Sequence, residues 1–426
     1  MSRAATAWRR TALLMVLTAL PVWAVPGDAL PGADVDSLLE LARSQNPEFS
    51  AMRHEAQAAA ERVYPAGALP DPTLRTELQN VTNDGTDASP NLLPGRIGST
   101  KYTVIQPLPI WGKRDLQRAA ASAAADQAQG RASATWADLA SRIKTIYVQN
   151  YQASRDIALT REILDLAGDL ERIARARYAN GLVPQQDVLR AQMEQTALRG
   201  ELIGLEAERH HLHVRLNTLL RRPVGAPLAE PARLRPLPTM ARLDYGALEQ
   251  RVVANNPQMY VEQASISAAE KSRELVEKNR YPTFLLGISP LQVRDRISQW
   301  GLMLEMNIPL QQESRRAQER EALELLDAAR LRRESTQDQL LSELAEKLAS
   351  LDAARRLEQL AEDSLLPQSK LSFKGALTGY ENGTLDFATL LDAQRQIRKA
   401  RLDKLKAQTE MQLRLADIER LLGEDL

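Results

Sequence analysis

Few side chains in this sequence could carry chemistry, and the most prominent are three histidines in the segment HHLH, at His210, His211 and His213. Imidazole is a common metal ligand, and two ligands on one helix face need a spacing of three or four residues. Only His210 and His213 meet that spacing, and no glutamate lies between them to act as a general base. We therefore interpret the cluster as part of a helix surface or interface.

No other pattern indicates an enzyme, and no cofactor is expected. We find no nucleotide-binding loop, no serine, histidine and aspartate in a catalytic order, and no paired catalytic carboxylates. The 426 residues include no cysteine, which excludes disulfides and cysteine-based catalysis or metal binding. Basic and acidic side chains number 55 each, so the net charge is zero and gives no electrostatic reason to expect nucleic acid.

The first residues are typical of an export signal. Three arginines precede a short apolar run at 11–23, and the small residue Ala24 suits cleavage. We predict a signal peptide over 1–24 and a mature chain that begins at Val25. A membrane anchor is the alternative, but about 18–20 apolar residues are needed to span a bilayer, and no later segment is that long and apolar.

One turn motif occurs twice. The segments YANGLVPQQDVLRAQ (178–192) and YENGTLDFATLLDAQ (380–394) lie 202 residues apart and share a tyrosine, an Asn-Gly pair and a terminal Ala-Gln. Other pairs keep the same offset, so the sequence predicts an internal duplication. The mature chain then has three parts: a first repeat at 25–222, a proline-rich linker at 223–240 and a second repeat at 241–426.

Each repeat contains a long stretch with apolar residues at helical spacing. The Asn-Gly pair is a helix stop, and a helix restarts a few residues later. A helix over residues 115–178 would be about 95 Å long at about 1.5 Å per residue. A single helix cannot bury an apolar stripe against itself, so the helices of each repeat must pack as an antiparallel hairpin. We predict hairpins at 115–220, with its tip near 178–187, and at 314–422, with its tip near 380–389. Pro367 predicts a break or kink.

Before each long helix the apolar period changes to two, which is typical of β-strands. The segment QWGLMLEMNI (299–308) places its tryptophan, two leucines and a methionine on one face. The first repeat is predicted to have strands at about 73–82 and 99–108, and the second at about 281–289 and 299–308. Loops at 83–98 and 290–298 would join them.

Strands of about 9–11 residues suit a transmembrane barrel. Four strands cannot close a barrel alone, because the smallest transmembrane barrels have eight, and open edges are not tolerated in lipid. Three chains would supply twelve strands and leave a lumen. The alternative is that the strand pairs face water and pack on the helices.

With these features the chain resembles the outer membrane factor family, the TolC-like exit ducts of Gram-negative efflux and secretion systems. The resemblance covers nearly the whole mature chain. It rests on the duplicated layout, the two tip motifs, the stretch QPLPIWGKR (106–114) and the ending IERLLG (418–423). The segment GALPDPTL (67–74) and the WGKR motif make the chain similar to the heavy-metal branch of cobalt–zinc–cadmium and copper–silver systems.

The resemblance implies a mainly α fold with a small transmembrane β part. It implies a homotrimer with a twelve-stranded barrel in outer membrane lipid and an α-helical tunnel across the periplasm. Such a channel passively conducts its substrate, here heavy-metal cations, to the outside from a periplasmic adaptor (membrane fusion protein) and an inner-membrane RND-type pump. A multidrug or secretion duct of the same family, or a periplasmic coiled-coil adaptor, is the alternative.

The resemblance also implies a gate at the periplasmic aperture. In relatives, aspartates and a Tyr–Asp link between neighbouring hairpins close the tunnel at the tips. Tyr380 lies at the tyrosine position and Asp187 at its partner's, while Asp392 lies at one inward aspartate position and Thr389 at the other. Leu385 replaces an arginine that some relatives carry. The alternative is that these acids only stabilise helix N-termini.

Overall fold

The computed structural model describes residues 30–79, 81, 92–93 and 97–426. The predicted signal peptide and most of the predicted loop at 83–98 lie outside the described residues. The described helices are α1 Val35–Gln45, α2 Pro47–Glu61, α3 Val63–Gly67, α4 Lys113–Ala179, α5 Gln185–Leu219, α6 Tyr245–Asn255, α7 Pro257–Lys278, α8 Gln312–Leu360, α9 Leu366–Glu381 and α10 Phe387–Leu422. The described strands are β1 Thr73–Gln79, β2 Ser99–Leu108, β3 Phe284–Val293 and β4 Arg296–Met306.

Near the start of each repeat, an Asn-Pro step is tied to the end of that repeat's last long helix. The Asn46 side chain accepts a hydrogen bond from the Phe49 N–H at 3.0 Å and donates to the Leu219 carbonyl at 2.9 Å. Asn256 caps α7 in the same way and donates to the Leu421 carbonyl at 2.7 Å. Because the two leucines lie 202 residues apart, both repeats close with the same bond.

Two long helical hairpins run side by side. Helix α4, of 67 residues and about 100 Å at 1.5 Å per residue, packs against α5 to form the first hairpin and against α10 of the second. The second hairpin pairs α8 and α9 with α10. Within the described ranges, no helix is both long enough and apolar enough to cross a membrane.

A π-helical turn at Ala361–Leu365 separates α8 from α9, immediately before Pro367. Proline has no N–H to donate, and its ring clashes with the carbonyl four residues earlier in an ordinary helix. The wider turn accommodates one extra residue and relieves that clash. The predicted break at Pro367 is therefore a single altered turn, and the helix continues to Glu381.

The four strands form one antiparallel sheet in the order β1-β2-β3-β4. The central pairing of β2 with β3 joins the two repeats. The segment predicted as a loop at 290–298 is mostly strand, because β3 and β4 extend to a tight turn at Arg294, where φ is +55°. This turn shifts both strands towards the middle of that segment relative to the predicted bounds of 281–289 and 299–308.

The sheet exposes apolar side chains on one face and buries polar side chains on the other, which is the reverse of a sheet in a water-soluble protein. One row across the sheet is apolar and between 49% and 77% exposed: Leu74, Val104, Ile288 and Leu302. On the opposite face the polar side chains of Thr103 and Ser289 are buried. A large exposed apolar face backed by a polar interior is the pattern of a strand set that contacts lipid.

Helices α4 and α7 approach each other closely at Gly130. A Cβ atom there would lie 2.7 Å from Val261 Cγ2 and 2.9 Å from Tyr260 Cδ1. We expect Gly130→Ala to lower the thermal midpoint, because this clash outweighs the gain of about 0.5–1 kcal/mol from alanine's helix preference. Gly168→Ala is the matched control, since nothing in the described chain lies within 4 Å of a Cβ at that position. A midpoint that falls equally in both variants would contradict this packing.

Candidate functional site

The two predicted tips have the same backbone turn. Each first helix ends at a glycine with a left-handed backbone, at φ +69° and +75° respectively: Gly181 and Gly383. The Leu182 N–H donates to the Arg177 carbonyl at 2.9 Å, and the Thr384 N–H donates to the Gly379 carbonyl at 2.8 Å. This six-to-one bond after a left-handed glycine is the Schellman arrangement. The repeated phrase in the sequence thus encodes two identical helix reversals.

Tyr380 lies in the apolar core between the two tips. Its side chain is 1% exposed and meets the Phe387 ring edge-on, with the centroids 5.4 Å apart. Its hydroxyl group has no hydrogen-bond partner in the described chain. Burial, and next the nearby charge of Asp187, raise the pKa of Tyr380 to about 12. The phenol is therefore neutral at physiological pH.

Asp187 lies in the first turn of α5 and is only 7% exposed. Burial raises the pKa of its carboxyl group; Arg190 opposes that shift and Asp386 adds to it. The structure thus brings Asp187 near Tyr380, but the hydrogen bond that the resemblance implies between them is not formed within this chain. The Tyr380 phenol and the Asp187 carboxyl group are neighbours, and no hydrogen bond joins them.

Asp392 has a different environment from Asp187. Its side chain is 71% exposed, and its nearest cation is Arg395 at 4.0 Å, one turn further along α10. The role of helix N-cap belongs instead to Asp386, whose carboxylate accepts from the Thr389 N–H at 2.8 Å and from its hydroxyl at 2.6 Å. Those bonds lower the pKa of Asp386. Asp392 is therefore free to face solvent or another chain.

Arg177 joins the two tips, and the sequence analysis did not identify it. Its guanidinium donates to the Glu381 carbonyl at 2.5 Å and lies 5.2 Å from the centre of the Tyr380 ring. The equivalent position in the second repeat is Gly379, where a Cβ atom would lie 2.6 Å from Leu385 Cδ1. The chain therefore has a leucine packed on glycine in one tip and an arginine crossing from the other. The replacement of arginine by glycine at equivalent positions of two otherwise matching motifs was the feature of the sequence that could have identified Arg177.

Further from the tips, ion pairs connect the same two hairpins. The distances are 2.6 Å, 2.7 Å and 2.7 Å for these pairs: Glu194–Arg395, Glu162–Arg401 and Lys144–Glu419. Each pair joins one helix of the first hairpin to α10 of the second. Ion pairs thus join the two hairpins along the seam, whereas the tip end of the seam is an apolar cluster that both hairpins share.

The three histidines do not form a metal site with other side chains of the described residues. His210 and His211 are exposed, and His213 is half-buried, with no hydrogen-bond partner for its Nε2 atom among the described residues. Burial, Arg209 and His210 lower the pKa of His213. Within the described ranges, no group of three or more histidine, aspartate or glutamate side chains could hold a metal ion.

The comparison with protein families identifies the class. A family model described as "Outer membrane efflux protein" matches residues 38–220 and 248–424. These two segments lie in the two repeats, on either side of the linker. The chain therefore belongs to the outer membrane efflux protein family.

Individual proteins match more than nine-tenths of the chain. The cobalt-zinc-cadmium resistance protein CzcC of Cupriavidus metallidurans is 21% identical over 409 residues, which are 93% of this chain and 92% of that protein. The solved channel OprN has a TM-score of 0.77 at 20% identity, covering 91% of this chain and 89% of its own. VceC from Vibrio cholerae has a TM-score of 0.78 at 16% identity, covering 92% and 96%. CusC has a TM-score of 0.70 at 17% identity, covering 99% of both chains.

Members of this family are channels and not enzymes. The protein is an efflux channel of the outer membrane, and its long helices form the part that lies in the periplasm.

Proposed function

We propose that three copies of the chain close a twelve-stranded barrel and form the exit duct of a tripartite efflux system. The observation that carries this proposal is the four-stranded sheet, in which β1 and β4 each have a neighbour on one side only. Unpaired backbone edges are too costly in lipid. A ring of three sheets pairs every edge and keeps the apolar face outside.

Heavy-metal cations are the proposed substrate. The similarity to a cobalt-zinc-cadmium resistance protein over 93% of the chain supports this assignment. A periplasmic adaptor and an inner-membrane RND-type pump are the proposed partners, because the duct is passive and needs an energy source elsewhere. A multidrug or secretion duct of the same family is the second candidate.

Deletion of the gene in its own host tests the substrate class. We expect the deleted strain to accumulate cobalt, zinc or cadmium, measured by elemental mass spectrometry, and a plasmid copy to restore the original level. Accumulation of organic compounds with unchanged metal content would overturn the metal assignment and support the second candidate.

The gate is proposed at the tips, with Asp187, Tyr380 and Asp392 as its residues. Three copies of Asp392 around a three-fold axis would form a negative ring, which favours cations. Its high exposure and its weak 4.0 Å contact with Arg395 leave that charge available. Tyr380 lies in the apolar core that the two tips share, and Asp187 is also buried.

We expect Asp392→Asn to reduce the preference of the channel for potassium over chloride by roughly twofold, the scale of an exposed and screened charge. Reversal potentials across planar bilayers with a potassium chloride gradient measure this preference. Asp363→Asn is the control, because that aspartate lies at the π-helical turn, away from the tip. The same selectivity in wild type and Asp392→Asn would exclude Asp392 from the ion path.

A further inference from the structure

An aromatic and cationic cluster lies where the sheet meets the long helices. The Trp111 indole N–H donates to the Pro282 carbonyl at 3.1 Å, and its ring stacks on Tyr281 with the centroids 5.1 Å apart. The Lys278 ammonium lies 5.6 Å from the centre of the same tyrosine ring. Both aromatic rings remain about half exposed. The cluster connects the two repeats and leaves part of both aromatic side chains exposed.

Two cations at this junction occupy equivalent positions in the duplication. Lys113 opens α4 and Arg315 lies in the first turn of α8, 202 residues later. The Lys113 ammonium donates to the Tyr281 carbonyl at 3.3 Å. Arg280, the residue before Tyr281, pairs with Glu319, which lies one turn beyond Arg315, so both cations lie where the sheet meets the long helices. Burial and the charge of Arg315 lower the pKa of Lys113. The duplication thus places two like charges at one junction.

These two cations lack a counterion. In the part of the chain that the structure describes, neither Lys113 nor Arg315 forms an ion pair, and the buried Nη1 atom of Arg315 has no hydrogen-bond partner. A buried polar atom normally has a partner, since leaving it unpaired costs free energy. The pair therefore has unused capacity to bind an anion.

The nearby carboxylates are engaged elsewhere or point to solvent. Glu319 accepts two bonds from Arg280, at 2.7 Å and 2.9 Å, and Asp115 lies 4.0 Å from Arg118. Glu313, in the same turn as Arg315, is exposed and forms no ion pair. Among the described residues, no carboxylate therefore pairs with either cation.

The surroundings of the cluster indicate a lipid rather than a free ion. Exposed apolar side chains continue from the lipid-facing side of the sheet to the junction, ending at Ile110, Ile308 and Leu310. Tryptophan and tyrosine, which combine an apolar body with a polar end, favour the boundary between membrane and water. A lipid whose phosphate bound here would have its acyl chains next to these apolar side chains.

We propose that Lys113 and Arg315 bind the phosphate of an anionic phospholipid, and that Trp111 and Tyr281 pack against the part of the same lipid next to its phosphate. The site adds a lipid ligand to the proposed function and does not depend on which substrate the channel carries. Its charge, apolar border and aromatic stack each match one part of such a molecule.

Native mass spectrometry of the full detergent-extracted protein, with added phosphatidylglycerol or phosphatidylcholine, tests the site. We expect phosphatidylglycerol to bind roughly tenfold or more tightly, the scale for two cations at a lipid phosphate. The double variant Lys113→Gln with Arg315→Gln should lose this preference. Lys370→Gln with Lys374→Gln removes two exposed lysines of α9 and should keep it.

Three further arms make the outcome decisive. Arg315→Gln alone retains the Lys113 bond to Tyr281, so it should fold even if the double variant does not, and it should weaken phosphatidylglycerol binding. Circular dichroism checks the fold of each variant. Equal binding of both lipids by the wild type, or full displacement of phosphatidylglycerol by millimolar inorganic phosphate, would overturn the lipid assignment.

Discussion

Glu419→Gln is expected to lower the thermal and denaturant midpoints strongly. Glu419 and Lys144 are both buried, and the Lys144 ammonium lies 2.7 Å from the Glu419 carboxylate. Arg235 donates two further bonds to that carboxylate, at 3.1 Å and 2.7 Å. Removing one partner of a buried pair costs about 3–5 kcal/mol. We expect the lower end of that range, because Lys144 also contacts the exposed Asp425.

Two controls define this result. Glu424→Gln breaks the exposed pair with Arg251, which is worth about 0–1 kcal/mol, so its midpoints should barely change. Lys144→Met combined with Glu419→Gln also removes the buried ammonium that the single variant leaves without Glu419, and it should recover part of the loss. Equal midpoints for the Glu419 and Glu424 variants would show that the buried network does not hold the two hairpins together.

The second large effect concerns conductance and rests on the proposal that the tips are the gate. Arg177 crosses between the tips through its bond to the Glu381 carbonyl and its contact with the Tyr380 ring. Arg177→Gln should remove about 2 kcal/mol per chain, which shifts a two-state tip towards open by about thirtyfold. We expect a larger mean single-channel conductance in planar bilayers.

Tyr380→Phe separates this account from the Tyr–Asp bond that the resemblance implies. The phenylalanine keeps the ring under Arg177, and the lost hydroxyl had no hydrogen-bond partner among the described residues, so conductance should stay at the wild-type level. Arg175→Gln is the matched control, because Arg175 pairs with Glu171 within its own helix. A conductance that rises in Tyr380→Phe and not in Arg177→Gln would favour the Tyr380–Asp187 link over the Arg177 contact.

Local patterns in the sequence were sufficient to predict the repeated tips. A left-handed glycine after a long helix and a restart a few residues later depend only on neighbouring residues, as Gly181 and Gly383 show. The period of two before each long helix likewise indicated strands. Pro290 made the end of β3 difficult to predict, because proline usually limits a strand to a sheet edge, yet here it pairs with Trp300.

The contacts that join the repeats could not be predicted in this way. Arg177 meets a carbonyl 204 residues away, and Lys144 meets Glu419 at a separation of 275. Such partners depend on how two hairpins pack, and one sequence contains no periodicity that reports it. The same limit applies to Lys113 and Arg315, which follow β2 and β4 and reach one junction because β3 pairs with both strands.

The proposal that three chains complete one barrel is tested most directly by the mass of the detergent-extracted protein, measured together with its β content. Native mass spectrometry should give three chains per particle, and infrared spectroscopy should show the strands intact, because each sheet then pairs both edges with its neighbours. A stable particle of a single chain with full β content would contradict the account, since its β1 and β4 edges would be unpaired in a protein that lies in lipid.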